Sequence, residues 1–226
     1  MTVTYEFYIA EDQKKTLSVE PDGTVRSGAA QTPADWTRLG HCQCTNCPLS
    51  TQETEYCPAA AKMEPVIEAF RDQKAFQKMT IRVHSEQRTY EKYTHLEEGL
   101  RSLLGLVMAS SACPHLAELR PMARHHMPFS NSSEFIMRSV SLYLLEQYFN
   151  RRDGEDADWD LQGLVSRNEE LKLVNHSLWQ RIHDICQGDS NLKALLNFFS
   201  MASNVSSTLE TQLSQVREHF ESQDPL

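Results

Sequence analysis

The sequence lacks an apolar segment long enough to cross a membrane. Its longest apolar run, Leu103 to Ala109, is far shorter than the roughly 20 residues that a membrane-spanning helix needs. The first residues have neither a basic start nor a continuous apolar stretch, so no secretory signal is predicted. These two absences predict a cytoplasmic protein that does not insert into a membrane.

The sequence also has little positive charge. Its 22 lysines and arginines are outnumbered by 31 aspartates and glutamates, which leaves a formal net charge of -9. Nucleic acids and anionic membranes bind cationic surfaces, because such surfaces release counterions or meet charged headgroups. General nucleic-acid binding is therefore not expected.

Recognisable catalytic motifs are missing as well. The chain contains no Ser-His-Asp order, phosphate-binding glycine loop, His-Glu-x-x-His sequence or paired-carboxylate pattern. Whether the protein is an enzyme therefore stays open. With 226 residues, the chain can bury a sizeable core without disulfides or metal ions.

The first half of the sequence contains segments in which polar and apolar residues alternate. This pattern predicts antiparallel strands near residues 4–9, 16–19, 79–84 and 88–94, with a helix over 59–70 between the two hairpins. From residue 95 the apolar spacing changes to the helical one. The sequence therefore predicts an α+β fold, with a small sheet region over 1–94 and a helical region over 95–226, as two units or one integrated domain.

The helical region is predicted to end in a long antiparallel hairpin. Apolar residues recur three and four apart over 164–185 and again over 192–220, as in packed helix pairs. Asn168 and Asn175 fall in this apolar seam, where a polar residue can specify one helix partner. They predict a defined contact within the chain or with a protein partner or homodimer, unless they face water at the edge of the seam. An earlier helix is expected to begin behind Ser132 or Ser133.

The cysteines are the strongest chemical signal in the chain. Cys44 and Cys47 are separated by two residues, a spacing that directs two sulfurs at one cation, and Cys57 follows within reach. In a reducing compartment such a cluster favours a metal site over disulfides.

The fourth ligand is less determined. Cys42 is two residues from Cys44, so an extended backbone would direct their side chains to opposite faces. Cys113 is remote, but it precedes a proline, as Cys47 and Cys57 do, and proline stiffens a loop that presents a sulfur. We expect Cys113 to be the fourth ligand, with Cys42 or His41 as alternatives.

These motifs support a family resemblance. The segments CxxCPL at 44–49, CP at 57–58, SACP at 111–114, HMPF at 126–129 and YLLEQYF at 143–149 resemble those of a family of uncharacterised bacterial cytoplasmic proteins. The resemblance covers most of the chain and implies a bacterial cytoplasmic origin. It supports Cys113 as a ligand, whereas Cys42 is an addition to the pattern. It implies no substrate and no established activity.

Four cysteine or histidine ligands most often hold zinc. The sequence therefore predicts a structural zinc site in a regulatory or adaptor protein that acts by binding a protein or a ligand. The alternative is an iron–sulfur or thiol-based redox protein or sensor, because four thiolates also hold iron–sulfur clusters. Cys186 is interpreted as a small core residue.

A second set of residues could bind a ligand. Arg88, Tyr90 and Lys92 have the even spacing that aligns side chains on one strand face, and such a surface could hold an anion. His126 is a candidate base or ligand-binding residue. A third hypothesis is an enzyme that acts on an anionic substrate with His126 and the strand face of Arg88 and Lys92. The simpler interpretation is that these residues are a solvated sheet face and a loop histidine.

Overall fold

The computed structural model of the protein describes residues 2–26, 33–71, 73–74, 76–185, 213–214 and 217. In these residues, five strands form one antiparallel sheet in the order β3-β2-β1-β4-β5. The strands are β1 (Val3–Ala10), β2 (Gln13–Val19), β3 (Val25–Arg26), β4 (Lys78–His84) and β5 (Thr89–His95). The helices are α1 (Pro58–Phe70), α2 (Leu96–Ser110), α3 (Arg120–Arg124), α4 (Ser132–Arg152) and α5 (Gln162–Ile185).

This architecture confirms the predicted α+β class. The sheet is small and antiparallel, and the cysteine-rich loop and α1 lie between its two hairpins. The C-terminal helices are consistent with the predicted hairpin, although most of its second arm, over 192–220, lies outside the described residues. No helix in the described part of the chain is long and apolar enough to cross a membrane.

The sheet forms because its central strand, β1, alternates strictly between buried and partly exposed residues. Val3, Tyr5 and Phe7 of β1 are buried, whereas the residues between them are partly exposed. Tyr5 pairs with Leu17 of β2 and with Val83 of β4, so buried residues meet buried residues across the sheet. A one-residue shift would expose all of them, so burial sets the register.

One hydrophobic core spans the predicted boundary between residues 94 and 95. Its main cluster joins residues of the sheet, α1 and α2 with Val174, Leu178 and Ile182 of α5. The sheet region and the helical region therefore share their core, and α5 is part of it.

One detail of the helical region differs from the sequence-based expectation. The helix α4 is capped by Asn131, just before the expected Ser132 or Ser133, because Asn131 and Glu134 bond reciprocally to each other's backbone N–H. The short helix α3 carries Pro121 in its first turn, where its missing N–H costs little.

Helix α2 lies against the sheet through Gly99. A Cβ atom on Gly99 would overlap the side chain of Ile81 and lie 2.8 Å from the ring of Phe7, and both of these residues are fully buried. At Gly105, two turns further along α2, a Cβ atom would meet nothing within 4 Å. The two glycines of one helix therefore have opposite surroundings.

The same substitution should have opposite effects at these two positions. Gly105→Ala should raise the free energy of unfolding by about 0.5–1 kcal/mol, because alanine favours a helix and meets no atom. Gly99→Ala should lower it by about 1–3 kcal/mol, because the added methyl group overpacks the core. Urea denaturation of both variants measures the difference, and equal effects would show that α2 does not approach the sheet at Gly99.

Candidate functional site

Backbone pairing closes the base of the cysteine-rich loop. The N–H of Leu39 donates to Glu55 O at 2.8 Å, and the N–H of Cys57 donates to Thr37 O at 2.7 Å. Inside the loop, the N–H of Cys47 donates to Cys44 O at 3.0 Å, which forms the tight turn expected of the two-residue spacing. The loop is thus held in place by its own backbone.

The structure places Cys44, Cys47, Cys57 and Cys113 around one small enclosed cavity of about 10 Å³. Cys57 is the N-cap of α1, and Cys113 follows the end of α2. Both are buried, whereas Cys44 and Cys47 are half-buried. A cavity of this size holds one water-sized species. Among the described residues, no three of these four sulfurs lie within 4.8 Å of one another.

Helix α5 covers this cavity, which sequence reasoning did not predict. Val174, Leu178 and Arg181 line it. Ser177, buried on the same face, is hydrogen-bonded to the Cys44 sulfur. Spacing within the cysteine motifs carries no information about which distant helix packs over them. The polar Ser177 and Arg181 in the apolar stripe of α5 were the available signal that this helix covers a polar site.

Arg181 is buried against backbone carbonyl oxygens. Its side chain is 1% exposed, and its guanidinium donates to the carbonyl oxygens of Trp36, Arg38 and Leu39 at 2.7 to 3.0 Å. Its Nε has no hydrogen-bond partner, and no carboxylate in the described part of the chain forms an ion pair with it. A buried guanidinium normally has a counter-charge, and the titratable groups that share its cavity are the four thiols and His115.

Burial favours the protonated form of two of these thiols. Burial raises the pKa of Cys113 to about 11, although the backbone N–H groups of Leu116 and His115 oppose this effect. Burial likewise raises the pKa of Cys44, against the hydrogen bond from Ser177. Reactive cysteines have lowered pKa values, so these surroundings do not favour Cys44 and Cys113 as free nucleophiles.

Cys42 and His41, the alternative fourth ligands, do not line this cavity. Instead, they form a candidate metal-binding group with Asp184 of α5, in which the three ligand atoms lie within 4.8 Å of one another. His41 Nε2 is 3.2 Å from Asp184 Oδ2, and Cys42 has a left-handed backbone with φ of 45°. Cys186 lies outside the described residues.

His126 lies in a second, larger cavity between α2, α4 and α5, with a volume of about 250 Å³. Its Nε2 is hydrogen-bonded at 2.6 Å to the hydroxyl of the fully buried Tyr5. Burial, with a contribution from the charge of Arg138, lowers the pKa of His126 to about 4. The ring is therefore neutral at physiological pH.

The other predicted ligand-binding residues lie apart from His126. Arg88 is exposed in the turn before β5, and Tyr90 packs against the main core. Lys92 donates to Glu98 of α2 at 2.8 Å. None of these three lines the cavity that contains His126. Asn168 and Asn175, predicted to lie in a helix seam, do line it.

Comparison with known proteins returned one match. A family model described as a domain of unknown function (DUF6901) matches residues 3–221. Neither the curated proteins nor the solved structures include a significant match to the chain.

Removing the charge of Arg181 should destabilise the protein strongly. Arg181→Met leaves three buried carbonyl oxygens without their donor, so the free energy of unfolding should fall by about 3 kcal/mol or more. Arg167→Met is the matched control on the same helix. Arg167 pairs with Glu146 and Glu118 near the surface, where such a loss costs about 1 kcal/mol or less. Urea denaturation compares the two, and equal losses would contradict the proposed importance of Arg181.

His126 should make stability depend on pH between about 6.5 and about 4. In the unfolded chain His126 has its ordinary pKa of 6.5, whereas in the folded chain its pKa is about 4. Between these two pH values the unfolded chain therefore takes up a proton that the folded chain does not. Stability should therefore fall as the pH falls. His126→Gln should reduce this fall, as measured by urea denaturation at pH 7 and pH 5. The exposed neighbour variant His125→Gln should leave it unchanged, and identical pH dependence in all three proteins would refute the assignment.

Proposed function

Because the chain belongs to the family described as a domain of unknown function (DUF6901), we propose a function from its own geometry. It is a metal-binding protein in which Cys44, Cys47, Cys57 and Cys113 hold one structural zinc ion. Its work is regulatory or adaptor binding of a ligand or a protein in the reducing cytoplasm. The predicted protein partner or homodimer contact through the C-terminal helices remains a prediction.

The observation that carries this proposal is the buried charge of Arg181 beside four thiols. Four thiolates around Zn²⁺ leave an excess of two negative charges, which a guanidinium in the same cavity compensates in part. Burial raises the pKa of Cys44 and Cys113 when no cation is bound, and no carboxylate of the described residues forms an ion pair with Arg181. Metal binding therefore accounts for both features at once.

The hydrogen bonds to the sulfurs support the same assignment. Backbone N–H groups of His115 and Leu116 donate to Cys113, and Ser177 is bonded to Cys44. Groups of this kind orient metal ligands and stabilise thiolate charge. Cys57 is also at the N-terminus of α1, where the helix dipole favours a negative group.

The cavity volume favours a single ion over an iron–sulfur cluster. About 10 Å³ suits one ion, whereas a cluster brings several iron and sulfide ions. Among the described residues, no three of the four sulfurs lie within 4.8 Å of one another. In a tetrahedral zinc site with bonds of about 2.3 Å the sulfurs are roughly 3.8 Å apart, so the cysteine side chains must move closer together to hold the ion.

The proposal predicts that the purified protein contains about one zinc ion per chain and is colourless. Cys57→Ser and Cys113→Ser should each lower the zinc content and the melting temperature, because each removes a ligand. Cys42→Ser is the matched control, since Cys42 is outside the cavity, and it should keep the ion. Elemental analysis and thermal denaturation measure both effects.

Two outcomes would overturn this assignment. A brown protein that absorbs near 400 nm and contains iron and sulfide supports the iron–sulfur alternative. Loss of zinc in Cys42→Ser with full retention in Cys113→Ser moves the site to the group of His41, Cys42 and Asp184.

A further inference from the structure

The larger cavity is built mainly from apolar side chains of four helices. Leu106 of α2, Met122 of α3, Phe135 of α4 and Leu171 of α5 lie on different sides of it, and Met127 contributes from the loop between α3 and α4. Methionine side chains adapt to irregular ligands because they are unbranched and polarizable. The volume of about 250 Å³ suits a small organic molecule.

The charged residues that line this cavity in the described part of the chain all have one sign. Arg101, Arg138 and Lys172 line it, and none of the described aspartates or glutamates does so. This is the reverse of the chain as a whole, in which acidic residues outnumber basic ones by 31 to 22. The cavity is therefore a locally cationic region of an acidic protein, and it attracts an anion.

Arg138 is the cation best placed to receive that anion. Arg101 lies 3.8 Å from Glu98, and Lys172 lies 2.5 Å from Glu169, so both have a carboxylate partner. Arg138 forms no ion pair within 4 Å among the described residues, although the carboxylate of Glu134 on the same helix acts on its charge from further away. It donates to the carbonyl oxygens of Met122 and His125 through Nη2 alone, which leaves the rest of its planar fork for a carboxylate.

Gly105 leaves space in the wall of the cavity. It is in the interior of α2, where glycine is less favourable than alanine, and no neighbouring atom requires it. At Gly99 the same residue type is explained by close packing. At Gly105 the missing side chain is explained by the volume it leaves open. A locally unfavourable residue without a packing role often marks a functional position.

The polar uncharged groups complete the site. Asn168 and Asn175 of α5 line the cavity, as do Ser102 and the neutral His126. These groups can donate or accept hydrogen bonds without adding a negative charge that would repel an anion. A cavity with apolar walls, a few polar groups and one unpaired cation matches the usual composition of small-molecule sites.

We propose that this cavity binds a small amphipathic carboxylate, whose apolar chain packs between α2 and α4 and whose carboxylate bonds to Arg138. The inference rests on the proposed binding role of the protein but not on its zinc ion. It names the chemical class of the ligand and the residue that selects it.

The test titrates the full-length protein with octanoate and decanoate by isothermal calorimetry, alongside octanol and octylamine of similar chain length. Both carboxylates should bind, about tenfold or more tightly than the neutral alcohol, because a hydrogen bond to a charged group is stronger than a neutral one. Octylamine should bind weakest of all. Absence of binding by both carboxylates, or equal binding of octanoate and octanol, overturns the inference.

Variants separate the charge from the space. Arg138→Gln should remove most of the preference for octanoate over octanol, whereas Arg151→Gln, an exposed arginine on the same helix outside the cavity, should keep it. Gly105→Leu should abolish binding of every probe, and Gly105→Ala should retain it. If Arg138→Gln fails to fold, the comparison of Gly105→Leu with Gly105→Ala still tests the proposal. Unchanged binding in Gly105→Leu places the ligand elsewhere and refutes the proposal.

Zinc analysis of the same samples keeps the two proposals apart. Protein that contains zinc but binds no carboxylate contradicts the ligand proposal alone. Protein that binds octanoate but contains no zinc contradicts the metal proposal alone.

Discussion

The position of α5 depends on the guanidinium of Arg181. It bonds to three backbone carbonyl oxygens, those of Trp36, Arg38 and Leu39, at the entrance to the cysteine-rich loop. These bonds join a helix near the end of the described chain to a loop near its beginning. A buried cation that satisfies three carbonyl oxygens is costly to displace, because both sides would be left without partners. The cysteine cavity is therefore closed by a well-determined contact.

Helix α5 also connects the two cavities. Val174, Leu178 and Arg181 face the four cysteines, whereas Asn168 and Asn175, on another side of the same helix, line the larger cavity. Leu116 lines the larger cavity as well, three residues after Cys113. An ion bound by the cysteines would hold the loop that carries Leu116, and so it would also restrain part of the larger cavity. This arrangement suits a metal with a structural role, because its effect on ligand binding passes through helix position and not through direct contact.

Tertiary contacts and an unusual backbone conformation add what local sequence rules do not give. The argument that Cys42 faces away from Cys44 assumed an extended backbone, whereas Cys42 adopts a left-handed conformation and lies with His41 and Asp184, outside the cavity of Cys44. Asn168 and Asn175 fitted a helix seam by spacing, and both line the larger cavity. The even spacing of Tyr90 and Lys92 suggested an open binding face, but the first packs on the core and the second pairs with Glu98 of α2.

The sequence by itself determined the class of fold and singled out the four cysteines that line one cavity in the structure. Alternation in β1 and β4, the helical spacing of α2 and α5, and the proline after three of the cysteines are local patterns, and local patterns can be read without coordinates. Only the tertiary structure decided that Cys113 lies beside the loop cysteines, that Arg181 carries its charge into their cavity, and that Arg138 and Gly105 border a common space. These juxtapositions join residues far apart in the chain, and they follow from how helices pack on the sheet, which no short pattern encodes.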